Sequence, residues 1–330
     1  MTTFSTYMTQ WLYGEDGYYS DYRPIGKKGD FYTAVSTSKF FGGSIANHII
    51  KRIDEGFLTP DCLICEIGAH HGYLLADIIE FLHTLRPQLI QTLRFGIIER
   101  FVALQNQQQN YFEESFGNVI RLEHYRDVSE IEASCAFFIA NEIFDAFPCE
   151  LLYQDKIGRM DTGKVVFDID SSSAIEHAKK YHKDRGEIAV GYEQFARSMS
   201  QSVQKFEFMS FDYGELSARS DFSIRVYHEH KVYPLFDEAL NLGDVFKKSD
   251  ITYDVNFTHV KDAFQSAGVR CEQFSTQLVA LIEMGILDLL GMLKEKANDE
   301  IYTQELEKVK ILITPSLMGE RFKMIRLVQG

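Results

Sequence analysis

The apolar run Cys62-Leu63-Ile64-Cys65 ends at Glu66; Gly68 and Gly72 follow, and Leu74-Leu75-Ala76-Asp77-Ile78-Ile79 then begins a helical pattern. Strand, acidic residue, glycine loop and helix, in that order, open a Rossmann-like unit. No other feature of the chain restricts its fold as strongly. One part of the usual loop is missing, because His70 stands where another glycine is common.

The residues downstream extend this unit. A helix is predicted from about Tyr73 to Leu85, ending before Pro87, and a second strand, Leu93–Ile98, ends at Glu99. A glutamine-rich helix follows from Phe101 to Phe112, and Val119 to Leu122 is a short third strand. Cys135–Ala140 reads as a fourth strand ending in Asn141-Glu142, and Phe206–Phe211 as a fifth ending in Asp212-Tyr213-Gly214. Acidic or amide groups thus mark the carboxyl ends of four strands, the edge at which open parallel sheets bind ligands. Gly268–Phe274 and Phe322–Val328 complete a set of seven strands, with helices from about Gln277 to Val309 between the last two. Upstream, Ser44–Phe57 has helical spacing, with Ile45, Ile49, Ile53 and Phe57 on one face. The segment between the fourth and fifth strands carries EHAKKYHKDRGE, read as a solvated helix or loop.

Charge narrows the partner class. Forty-eight acidic residues against 34 basic ones give a net charge of −14, which disfavours phosphate backbones, so no nucleic-acid partner is expected. No run of eighteen apolar residues occurs, so no membrane insertion is expected. The stretch MTTFSTYMTQWLYGEDGYY lacks a basic region and a cleavable apolar core, which makes the cytoplasm the expected compartment. Cys62 and Cys65 have CxxC spacing but lie in an apolar run without a second pair, and His70 and His71 point apart as sequence neighbours. Packing explains both pairs, and no metal site is expected.

A sulfonium methyl donor needs three things from such an edge. Gly68 and Gly72 let backbone approach the amino-acid and ribose portion, Glu99 accepts bonds from the ribose hydroxyls, and Asn141-Glu142 help to position a methyl acceptor in line. A nicotinamide dinucleotide uses a similar turn and a similar acid, so these residues alone leave both cofactors open. Seven strands favour the methyl donor, since a plain dinucleotide dehydrogenase has six.

At the level of whole blocks the chain resembles the MidA family of S-adenosylmethionine-dependent methyltransferases. The similar blocks are YMTQWLYGEDGYY, GDFYTAVSTSKFFG, CEIGAHHGYLLADI, IIERFVALQNQQ, ANEIFDAFP, FDYG, SIRVYHEH, DITYDVNF, FSTQ and MGERFKMI. The resemblance implies an α/β, Rossmann-like, seven-stranded class I methyltransferase fold with an N-terminal extension and helical insertions. Residues 1–57 would form the extension that contributes to the active-site cover. Residues 58–330 would form the methyltransferase domain, with insertions at about 151–204 and 276–310.

The implied cofactor is S-adenosyl-L-methionine, and the implied activity is protein arginine N-methylation of a respiratory complex I-type subunit or another protein. A protein substrate is then the expected partner, and a homodimer is possible. Cofactor-binding residues carried by the resemblance and the loop are Gly29, Asp30, Thr33, Glu66, Gly68, His70, Gly72, Glu99 and Asn141. Catalytic residues are Asn141, Glu142 and Asp145, with Asp212 beside them. A guanidinium stays charged and is weakly nucleophilic, so carboxylates that grip its fork and take a proton make chemical sense. Glu142 and Asp145, three residues apart, would share one side of a helical turn. Tyr18, Tyr19, Phe31 and Tyr32 pack the extension or cover the cofactor, and Tyr227 and His228 lie toward the same edge.

Departures from the family pattern are local. Ala69-His70 replaces the proline-glycine of its loop, Thr33-Ala34-Val35-Ser36 puts serine where a glutamate is usual, and Arg100-Phe101 replaces a serine-proline-like pair. His70 and Ser36 motivate the alternative reading, a non-catalytic assembly or chaperone protein with a degenerate cofactor pocket.

Overall fold

The computed structural model describes residues 1–20, 33–169, 173–181, 184–217 and 219–330. Gly29 and Asp30, like Phe31 and Tyr32, lie outside the described residues. The chain divides into two compact units, one of Tyr32–Asn141, Ser198–Asp212 and Gly268–Gly330, the other of Met1–Phe31, Glu142–Arg197 and Tyr213–Ala267.

The first is the sheet unit. Its strands are β1 (Leu63–Ile67), β2 (Arg94–Ile98), β3 (Leu122–Tyr125), β4 (Cys135–Asn141), β5 (Lys205–Glu215), β6 (Arg270–Thr276) and β7 (Phe322–Gln329). They lie in the order β6-β7-β5-β4-β1-β2-β3, and a two-residue strand, Val255–Asn256, pairs with the end of β5. β5, β4, β1, β2 and β3 run parallel, whereas β6 and β7 pair antiparallel. The central strands are apolar along their length because helices cover both faces of a parallel sheet: every residue of β1 is buried, and so are Cys135–Ala140 of β4.

Helix α1 (Phe40–Asp54) buries Phe41, Ile45 and Ile49 at four-residue spacing and ends where Gly56 takes φ +75°. Helix α2 (Tyr73–Leu85) buries Leu74, Leu75, Ile78, Ile79 and Leu82, and Pro87 stops it. Helix α3 (Val102–Phe116) ends at Gly117, φ +58°. β3 begins three residues later than the apolar run Val119–Leu122 suggested; Val119 is exposed, and within the strand Leu122 and Tyr125 are buried. The region from about 276 to 310 is helical, with helices at Gln277–Glu283, Ile286–Lys296 and Asp299–Ile313.

The stretch from about 151 to 204, expected as a helical insertion, carries strands as well as helices. Strands Cys149–Tyr153, Lys156–Asp161, Lys164–Ile169 and Arg185–Ala189 form an antiparallel sheet that Thr2–Thr3 joins at the Lys156–Asp161 strand. Two tight turns explain this: Gln154 takes φ +57°, and Thr162-Gly163 take +45° and +81°, the left-handed conformations that close hairpins with the strand twist. Helix Ser173–Lys180 carries the first half of the charged stretch. A three-stranded sheet of Lys231–Pro234, Arg225–His228 and Asp250–Thr252 stands beside these elements in the chain's later part. The N-terminal helix Phe4–Tyr13 buries Phe4, Met8, Trp11 and Leu12, and the Trp11 indole donates to the Ser249 carbonyl at 2.6 Å.

Candidate active site

Strand register brings the expected cofactor residues of the sheet unit to one level. Ile67 of β1 pairs with Ile98 of β2 and with Ala140 of β4, and Ala140 pairs with Ser210 of β5. The residues that follow, Gly68, Glu99 and Asn141, therefore leave the sheet side by side at its carboxyl edge. The Gly68 N–H donates to the Ile98 carbonyl at 3.3 Å, tying the loop to β2.

The glycine loop keeps its turn without the missing glycine. Gly68, His70 and Gly72 take φ of +71°, +48° and +79°, so His70 adopts the left-handed backbone that glycine would supply. Three contacts hold it there. The Gly72 N–H reaches the Ala69 carbonyl at 2.8 Å, and the Gln108 amide donates to the His70 carbonyl at 2.8 Å. The other end of Gln108 meets His124 Nε2 at 3.0 Å. The His70 ring lies edge-on to His71, with centroids 4.0 Å apart, and burial lowers its pKa to about 3. A neutral imidazole at position 70 is therefore no cationic partner for a carboxylate. Gly72 must stay glycine, because a Cβ there would stand 2.9 Å from Phe112 Cε2 at a left-handed φ.

Two carboxylates frame this loop, and both are buried. Glu66 Oε2 accepts the Leu75 N–H at 3.0 Å in the first turn of α2, where the positive end of the helix favours an acid. Burial nevertheless raises its pKa from 4.5 to about 8, against the lowering effect of the Leu75 bond. Glu99, 8% exposed, accepts the Phe101 N–H at 2.9 Å, and burial holds it above the ordinary carboxylate range. It is not the solvated strand-end acid that sequence alone permits.

Glu66 gives a pH prediction. Unfolded, the group titrates near 4.5; folded, it keeps its proton up to about 8, so between those values the folded chain binds more protons than the unfolded one. Its contribution to stability is present at the acidic end and is lost as pH rises through that window. Glu66→Gln is expected to lose less stability than the native chain between about pH 5 and about pH 8. Urea denaturation of both proteins at the two ends of the window checks this, and equal losses would remove the buried proton.

Thr33 and Ser36 have a local structural role. Thr33 caps the short helix Ala34–Thr37: its hydroxyl accepts the Ser36 N–H at 3.2 Å while the Ser36 hydroxyl accepts the Thr33 N–H at 3.0 Å. This is a capping box in which serine does the work a glutamate does elsewhere, so the departure at position 36 leaves the helix start intact.

The other unit holds Glu142 and Asp145. The expectation that they share a face of one helical turn is corrected, because Glu142 takes φ +56° and only Phe144–Ala146 form a single 3₁₀ turn. Asp145 does not cap this turn. It is 3% exposed and accepts a short hydrogen bond from the Tyr213 hydroxyl, whose oxygen also lies 2.6 Å from Thr252 Oγ1. Burial raises Asp145 to about 6, while the Tyr213 bond and the Arg225 charge pull it down. Arg225 lies over the Tyr213 ring at 4.7 Å and donates to Asp254 at 2.7 Å. Tyr19 packs on Tyr13 and Tyr18 and donates to Asp250 at 2.8 Å, so Tyr18 and Tyr19 take part in packing. His228 pairs through Nδ1 with the Ser249 hydroxyl at 2.8 Å.

Gln108, His124, Tyr213 and Arg225 were not singled out by sequence reasoning as site residues. Tyr213 had the clearest signal, lying in the FDYG block one residue after a strand-end acid. Gln108 was hidden among neighbouring glutamines that differ only in the helix face they occupy.

Residues 45–275 match a family model described as "Putative S-adenosyl-L-methionine-dependent methyltransferase". The chain is 26% identical to the mitochondrial protein arginine methyltransferase NDUFAF7 of Xenopus laevis, across 99% of this chain and 80% of the relative. It is 23% identical to the human protein of that name, across 94% of this chain and 76% of the relative. Among solved structures, a Burkholderia thailandensis protein described as a "likely methyl transferase", bound to S-adenosyl-homocysteine, superposes with a TM-score of 0.85. The two are 21% identical, and the match covers 99% of this chain and 87% of that one. These relatives correct one expectation. The cytoplasmic assignment rested on the composition of the first residues, whereas the curated relatives carry mitochondrial names and point to that compartment. Among the described residues, no helix is long and apolar enough to cross a membrane.

Proposed function

Because the chain belongs to the family of S-adenosyl-L-methionine-dependent methyltransferases, with an α/β class I methyltransferase fold, we propose that it methylates arginine in a protein substrate. The observation that carries this reading is a match along 94–99% of the chain to proteins named as arginine methyltransferases, rather than to a shared cofactor domain alone. A respiratory complex I-type subunit is the first substrate to try.

The cofactor side of the reading rests on the sheet edge. S-adenosyl-L-methionine supplies an electrophilic methyl group on its sulfonium. Glu99 would take the ribose hydroxyls, the turn at 68–72 would let backbone approach the methionyl part, and the ammonium of that part, held near the buried Glu66, would favour the ionised carboxylate. His70 fits here as a neutral ring packed on His71. Gly29, Asp30, Thr33 and Asn141 complete the proposed set.

Glu142 is the proposed acceptor carboxylate. A non-glycine residue in the left-handed region costs roughly 1 kcal/mol or more and persists where function needs the side chain. Asp145, whose Oδ2 accepts from the Tyr213 hydroxyl, is better read as a positioning residue. Glu142→Gly would relieve the backbone and remove the carboxylate, so a melting temperature that is unchanged or higher, with methyl transfer lost and cofactor affinity retained, is expected. The assay is transfer of labelled methyl from S-adenosylmethionine to mitochondrial extract proteins, with the labelled residue identified after acid hydrolysis. Label on lysine or on small molecules would overturn the arginine assignment, and undiminished transfer by Glu142→Gly would clear Glu142 of its role.

A further inference from the structure

Three helices of the second unit converge on a cluster that methyl transfer does not use. His177 comes from helix Ser173–Lys180, Glu193 from the first turn of helix Tyr192–Ser202, and His259 from the first turn of helix Phe257–Ser266. Glu193 Oε1 lies 2.9 Å from His259 Nε2 and 3.4 Å from His177 Nε2, and the three ligand atoms lie within 4.8 Å of one another. Ligands held about 2.0–2.1 Å from a tetrahedral ion stand about 3.3 Å apart, so these separations already approach those of an occupied site.

The bland reading, a histidine bonded to a carboxylate, accounts for His259 but leaves His177 unexplained. His177 Nε2 is buried and has no hydrogen-bond partner among the described residues. A ring nitrogen removed from water without a partner is costly, and a shared cation relieves that cost for both rings at once. Aromatic rings wall the cluster: Tyr181 stacks on His177 at 5.3 Å, and Tyr192 lies 4.8 Å from His259. The nearby Asp262 is occupied by Lys180 Nζ at 2.8 Å and by the Tyr181 hydroxyl at 3.3 Å, which leaves it outside the ligand set.

We propose that His177 Nε2, Glu193 Oε1 and His259 Nε2 form a binding site for a divalent transition-metal ion, zinc being the best match, that ties helix Ser173–Lys180 to the two helices beside it. Two imidazoles and one carboxylate disfavour magnesium and calcium, which prefer all-oxygen shells, and leave a fourth position for water. The tie has a structural purpose. An eight-residue helix has little stability of its own, and this one packs Ile175 and Ala178 against Leu152, Ile157 and Ile188.

The test uses the full chain without an affinity tag, freed of metal by chelator and titrated calorimetrically with zinc chloride. One ion per chain is expected, with affinity falling ~100-fold or more in His177→Asn, beyond what loss of an outer-shell contact usually costs. His83→Asn, an exposed histidine in the sheet unit, should bind as the native chain does. Zinc should raise the melting temperature of the native chain and leave that of His177→Asn unmoved. Cobalt loaded in its place should give the visible absorption of a tetrahedral ion. Glu193→Gln, with unchanged circular dichroism, guards against a folding defect and should also lose the ion. Equal zinc affinity in native chain and His177→Asn, or no saturable binding by the native chain, would overturn the proposal.

Discussion

Replacing Glu99 with alanine is expected to lower the affinity for S-adenosyl-L-methionine by roughly 30- to 700-fold, the equivalent of ~2–4 kcal/mol. The size follows from the bonds at stake. A carboxylate that accepts from two vicinal hydroxyls makes two charge-assisted hydrogen bonds, and in the proposed site Glu99 would make them from a position only 8% exposed, where water competes poorly. The same burial predicts that the variant's stability holds. The native carboxylate is pushed above its ordinary range by desolvation, so its removal returns part of what the Phe101 bond had contributed. Calorimetric titration with the methyl donor, beside a thermal melt, separates the two effects. Unchanged affinity in Glu99→Ala would take Glu99 out of the cofactor site, and weakened affinity with a collapsed melt would make its role structural.

Gly214→Ala is expected to destabilise the chain by ~3 kcal/mol or more. Gly214 takes φ +153°, and a Cβ there would stand 2.1 Å from the Val255 carbonyl oxygen and 2.7 Å from the Val255 nitrogen. Both atoms are backbone and belong to the strand paired with residues 214 and 215, so nothing flexible is free to give way. The neighbouring Tyr213 would shift with it and loosen its bond to Asp145. Gly56→Ala is the control: its φ of +75° is equally left-handed, but nothing lies within 4 Å, so a loss of only ~1–2 kcal/mol is expected. Urea unfolding midpoints compare the three proteins. Equal small losses in both variants would show that residue 255 moves aside, contrary to the packing described.

The parallel sheet was legible because its strands are self-declaring. Apolar runs that end at Glu99 and Asn141 close on the strand ends found in the structure, the first strand runs one residue past Glu66 to Ile67, and α2 begins and ends at the residues its spacing and Pro87 indicated. Legibility failed where the pattern was weaker. The sheet around residues 149–189 has short strands, two of them, Lys156–Asp161 and Lys164–Ile169, partly exposed, and its hairpins turn on left-handed Gln154, Thr162 and Gly163, residue types that do not announce a tight turn as Asn-Gly would. The pairing of Glu142 with Asp145 failed for a related reason: three-residue spacing places two side chains on one face only if the residues between are helical, and Glu142 is left-handed.

By itself the sequence determined the parallel α/β core, which depends on residue type at fixed local spacing, while its resemblance to a family, carried by whole blocks, implied the cofactor class. Only the tertiary structure decided what His70 and Ser36 do, since a left-handed turn held by Gln108 and a serine-built capping box depend on partners that spacing does not reveal. It also decided which acids are raised above their ordinary range, because desolvation is set by everything that surrounds Glu66 and Asp145, not by their neighbours in the chain. The meeting of His177, Glu193 and His259 is of the same kind. Sixty-six residues separate the last two, and a contact at such range is made by packing alone.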